Sequence, residues 1–122
     1  MIEHHWYREH QVLEMQPRDP LSREDFAILA GQVNPVLVTH GRLLGLLIDT
    51  GHFRHWDQFA EMLDYCRFTR DQHRHIHKVA VIADRSLLAF MPQLVNHFVG
   101  AEVRPFAVDE RREALEWLGA PG

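Results

Sequence analysis

The chain has 122 residues, 46% of them hydrophobic and 25% charged, which suits one folded domain with its own core and excludes a disordered chain. Its net charge of −4 and pI near 6.2 lack the basic stripe that a nucleic-acid surface needs. A single cysteine, Cys66, excludes an intrachain disulfide and a cysteine metal cluster, and no apolar run approaches the roughly 18 residues of a membrane span. The N-terminal residues Met1-Ile2-Glu3-His4-His5 do not read as a signal peptide, so a reducing, cytoplasmic setting is expected. Ten histidines would carry the net charge from −4 to +6 if all were protonated.

In chain order, residues 6–9 and 11–15 can supply one or two short edge strands, and Pro17 and Pro20 punctuate the loop that follows. Ser22 is placed to cap a helix whose first turn holds Glu24 and Asp25. Phe26, Leu29, Ala30, Val33 and Leu37 recur at helical spacing, with a kink or restart expected at Pro35 and an end at Gly41. Residues 43–49 and 79–84 are strands too continuously apolar to have a wet face, and each closes on an aspartate, Asp49 and Asp84. Between them, residues 56–73 form the longest amphipathic pattern. Ser86 opens a short helix with an internal Pro92, residues 102–106 make another strand, and Asp109 caps a final helix closed by Gly119. Strands and helices in alternation define an α/β fold with a buried sheet.

Several strings resemble the SpoIIAA-like family of small bacterial proteins. They are His40-Gly41-Arg42-Leu43 running into Leu46-Leu47-Ile48-Asp49, then Phe53-Arg54-His55-Trp56-Asp57, Val79-Ala80-Val81-Ile82-Ala83-Asp84 and Val99-Gly100-Ala101-Glu102-Val103-Arg104-Pro105-Phe106. Glu113-Ala114-Leu115-Glu116-Trp117-Leu118 matches the family's closing helix, and the resemblance covers residues 21–118. It implies the fold of the STAS domains of anti-sigma-factor antagonists, a mixed sheet of four to five strands with helices on one side. Those antagonists carry a phosphorylatable Ser or Thr after the strand that ends in aspartate. Here that turn reads His55-Trp56-Asp57-Gln58 with no hydroxyl, and Thr50 stands too early. The fold also resembles lipid-carrying CRAL-TRIO (Sec14-like) domains, which implies a different use for the space between sheet and helices.

Asp49 and Asp84 could form a carboxylate pair for acid/base work or cation binding, but acids at βα junctions commonly cap the next turn instead. Ser86 sits where an anion would be favoured, yet it lacks a nucleophile elbow and reads better as a cap. His73, His75 and His77, with His52 and His55, have no specific metal spacing, so neither a metal site nor a cofactor is assigned. Phe53, Trp56, Phe59, Phe90, Met91, Phe98 and Phe106 either fill the core or wall an apolar pocket. Arg67, Arg70, Arg74, Lys78 and Arg85 make a basic cluster that acids at helical spacing balance.

The expectation is therefore a non-enzymatic binding or protein-interaction module. Asp49, Phe53, Trp56, Phe59, Asp84, Ser86, Phe90 and Phe98 are its candidate contacts with a protein partner. The alternative is a small carrier of an apolar, lipid-like molecule, and a homodimer is the expected assembly because edge strands invite a twofold contact.

Overall fold

The structure, a computed structural model, describes residues 2–7, 9, 11–18, 22–51, 76–85, 89, 91–98 and 100–119. The expected helix over residues 56–73 and the residues Phe53, Trp56, Phe59, Cys66, Ser86 and Phe90 lie outside them.

Five strands, β1 (Ile2–Tyr7), β2 (Val12–Pro17), β3 (Leu43–Gly51), β4 (Ile76–Ala83) and β5 (Glu102–Phe106), form one sheet in the order β1-β2-β3-β4-β5. β1 and β2 pair antiparallel, and every later pair is parallel. This is the expected α/β mixed sheet packed against helices. The N-terminal strands are longer than expected, and only β1 is an edge. β2 lies between β1 and β3 with Val12, Leu13, Glu14 and Met15 all buried. Its few β-branched residues understate it, because strand propensity mostly reflects packing against neighbours.

Alternation along the strands divides the core into two layers. On one face Leu13, Met15, Leu46, Ile48, Val79 and Val81 pack with Leu94 and Phe98, and with Leu29 and Val36 of α1 (Arg23–His40). On the other, Val12, Leu47, Ala80, Ile82 and Phe106 pack with Ala114, Leu115 and Leu118, in or beside α3 (Arg111–Trp117). Helices therefore cover both faces, not one. The reason lies in β3 and β4, whose side chains are apolar on both sides and need two covers.

Local signals set the helix ends. At the start of α1 the backbone N–H of Ser22 donates to Asp25 Oδ2 at 2.8 Å, and the Asp25 N–H lies 3.3 Å from Ser22 Oγ. This reciprocal pair is a capping box with aspartate in the glutamate position. Ser22→Ala is expected to cost about 1 kcal/mol in a denaturant melt. α1 runs through Pro35 without a restart. The carbonyl deprived of a donor belongs to Gly31, an exposed residue, where water can satisfy it.

α2 (Met91–His97) holds Pro92 in its first turn, where an amide hydrogen would have no helical partner anyway, and the expected start at Ser86 lies outside the described residues. At α3 the N-cap is Glu110, not Asp109, and its carboxylate turns back to accept the Ala107 N–H at 2.7 Å. Gly119 closes α3 as expected, with φ +82°.

Candidate functional site

The carboxyl ends of parallel strands are where α/β sheets present ligand and partner sites. At the ends of β4 and β5 an open cleft of about 430 Å³ is lined by residues 83–85 and 105–108. Ala83, Pro105, Phe106, Ala107 and Val108 form its apolar walls, and Asp84 and Arg85 contribute charge. Val108 is 40% exposed, one of the large apolar side chains left to solvent among the described residues.

Asp84 thus lines the cleft, as a residue at the end of a buried strand can. Asp49 is placed differently. It points to the α3 face, where its carboxylate stands 3.6 Å from Arg111 Nε. Phe98 is 2% exposed and belongs to the core layer under α1. Of the three described candidates, only Asp84 is part of the cleft.

Asp49 leads to a polar cluster that sequence reasoning missed. Glu14, on the α3 face of β2, is 2% exposed. Arg111 donates to it twice, from Nη2 to Oε1 at 2.6 Å and from Nε to Oε2 at 3.2 Å. Tyr7 donates its hydroxyl to Oε1 at 2.7 Å, and Gln16 Nε2 reaches Oε2 at 3.1 Å. Arg111 Nη2 also donates to the Tyr7 oxygen at 2.8 Å.

Burial alone would push the Glu14 carboxyl up. The hydrogen bonds from Arg111 and Tyr7, with the guanidinium charge, outweigh it and hold the group below the usual carboxylate range. Burial and the bond to Glu14 push the Tyr7 phenol up, and Glu14 keeps Arg111 firmly charged. The cluster ties the first turn of α3 to β2. The visible signal was a lone acid on the same face as Val12 in an otherwise apolar strand.

A second cluster borders β5. Lys78 Nζ donates to the Trp117 carbonyl at 3.2 Å and sits 4.9 Å from its ring centroid. Arg104 lies over Phe106 at 5.2 Å, and the Phe106 and Trp117 rings are 5.8 Å apart. Lys78 therefore serves as a cation at the end of α3, and Arg67, Arg70 and Arg74 of the expected basic cluster lie outside the described residues.

Thr50, the hydroxyl nearest the expected phosphorylation turn, is buried and donates to the Ile82 carbonyl at 2.8 Å, bracing β3 against β4. Among the described residues, no three His, Cys, Asp or Glu side chains are grouped to hold a metal ion. No helix among them is long and apolar enough to cross a membrane.

A five-stranded mixed sheet packed against helices is the architecture the family resemblance implied, and α3 on the second face is the departure from it. The chain matches the SpoIIAA-like family over residues 12–119 and belongs to it. No curated protein and no solved structure matches it.

Proposed function

We propose that the protein is a non-enzymatic, cytoplasmic interaction module, acting as one domain, whose contact surface is the cleft at the ends of β4 and β5. The observation that carries this reading is the cleft itself, with apolar walls, charge from Asp84 and Arg85, and Val108 exposed beside it. A contact of that kind matches the usual anatomy of a protein-binding patch, apolar at its centre and polar at its rim. Membership of the SpoIIAA-like family supports it, since STAS-type domains work by binding other proteins. Phe53, Trp56, Phe59, Ser86 and Phe90 are included in the proposed surface on their sequence positions after β3 and β4.

The test compares immobilised wild type with Val108→Glu and Asp84→Ala in capture from a cell lysate. Val108 is exposed, so both proteins should melt alike. A protein retained by wild type and lost with Val108→Glu supports the surface. Equal retention by all three overturns it.

The same cleft supports a second reading, a carrier of an apolar small molecule, because about 430 Å³ with mostly apolar walls falls in the range of ligand pockets. Native mass spectrometry of untagged protein separates the two. A mass excess of a few hundred daltons that vanishes on denaturation favours the carrier, and a bare chain mass favours the interaction module.

A further inference from the structure

We infer that β1 is the seam of a homodimer, in which two copies of this chain pair β1 with β1 antiparallel about a twofold axis at His4. The inference is independent of the cleft and concerns the opposite side of the sheet.

The two edges of the sheet differ. β5 contains Pro105, which has no N–H to offer a further strand. β1 contains no proline, pairs with β2 in unbroken register along its whole length, and exposes Glu3, His4 and His5. Among the described residues no strand lies on its outer side. Such an edge is a template for another strand.

The sequence of β1 then selects the partner and the register. A twofold normal to the sheet leaves each side chain on its own face, so directly opposed residues must both be even-numbered or both odd-numbered. Of the registers of that kind, those centred on His4 and His5 oppose the most residues of the strand. Both set one imidazole against its own copy, and centring on His5 also sets Glu3 against Tyr7. Only the register on His4 pairs Glu3 with a basic side chain on both sides of the axis. Glu3 meets His5 of the second copy, and His5 meets Glu3.

On the opposite face Ile2 meets Trp6, and both already pack on the core layer beneath α1. The pairing would carry that apolar layer from one copy into the next. α1 packs over β1 and β3, so the two copies of α1 lie on the same face of the joined sheet. Arg18, 3.6 Å from Glu3, and Tyr7, whose ring centroid is 4.6 Å from that of His5, are the charged and aromatic neighbours of this pair within the chain. Glu14 stands opposite His5 on β2.

A seam of this length is modest, so the dimer should depend on concentration. Sedimentation velocity of the 122-residue chain is expected to show the mass rising from 14.3 kDa toward twice that value as concentration increases. Glu3→Lys opposes lysine to histidine, and His5→Glu opposes glutamate to glutamate. Each change acts twice per dimer and should weaken association by about tenfold.

An equal mixture of the two variants sets the introduced lysine against the introduced glutamate and leaves the other Glu3–His5 pair intact. Association should return to near the wild-type level. A wild type that stays monomeric at every concentration overturns the seam. So does a dimer that neither variant weakens, or a failure to recover on mixing when both variants are folded by circular dichroism. If His5→Glu does not fold against Glu14, Glu3→Gln replaces it and should weaken the dimer by about threefold. No weakening would again overturn the proposal.

Discussion

Replacing Arg111 with alanine is expected to lower the free energy of unfolding at neutral pH by about 3 kcal/mol. Arg111 itself is half-exposed, with 44% of its side chain accessible, but the Glu14 side chain that it satisfies is only 3% exposed. Most of the loss is therefore the cost of a carboxylate left in the interior without a cation. Tyr7 and Gln16 still donate to it and keep the loss at the lower end of the range for a broken buried pair.

The pH dependence has a definite sign. In the wild type the Glu14 carboxyl is held below its unfolded value. Its contribution is present in full above that unfolded value and is lost as pH falls through the lower folded one. In Arg111→Ala the guanidinium's bonds and charge are gone, so the folded value rises, with only the Tyr7 and Gln16 bonds left against burial. The two proteins should differ most at neutral pH and converge as Glu14 is protonated. Urea melts from neutral to acidic pH give the result directly. A difference that stays constant with pH would mean that Arg111 acts through packing of its stem instead.

Leu118→Ala should also be costly, at about 3 kcal/mol, because Leu118 is 4% exposed and closes the core layer under α3. Its neighbour on β3 gives a sharper test. A β-carbon built at Gly45 would stand 2.9 Å from Leu118 Cδ2 and 3.2 Å from its Cβ. Gly45→Ala therefore forces α3 away from the sheet, at about 1–3 kcal/mol. In the double variant the new methyl meets a shortened partner and fills part of the cavity, so the two losses should fall short of their sum by about 1 kcal/mol. Simple additivity in chemical melts would show that α3 and β3 do not share this contact.

How far the sequence revealed this fold depended on how local each cause was. β3 and β4 were legible to within a few residues, because short continuous Leu, Ile, Val and Ala runs between turn signals suit buried strands, and β5 was legible to the residue although only Phe106 of it is buried. Ser22 and Gly119 were legible because caps depend on adjacent residues. Pro35 misled because its effect depends on which side of α1 meets water, and nothing local records that. The second helical layer was missed because the last helix was placed by family likeness. Its own side chains Ala114, Leu115 and Leu118 called only for some apolar face.

The candidate site was less legible than the fold. Asp49 and Asp84 share a sequence pattern, yet one answers to Arg111 and the other lines a cleft. The difference comes from α3, which follows β3 by some sixty positions in the chain. Glu14 and Arg111 are 97 residues apart. No window along the sequence joins them. Phe106 and Val108 were readable as apolar, but which of them would be buried was not.

The order of the strands has a consequence for synthesis. Chain order and sheet order coincide, so each new strand emerging from the ribosome can add to the last one formed without opening an existing ladder. The exception is α3, which follows all five strands and alone covers Leu47, Ala80 and Ile82 among the described elements. Until it arrives, Leu47, Ala80 and Ile82 lack the cover of Ala114, Leu115 and Leu118.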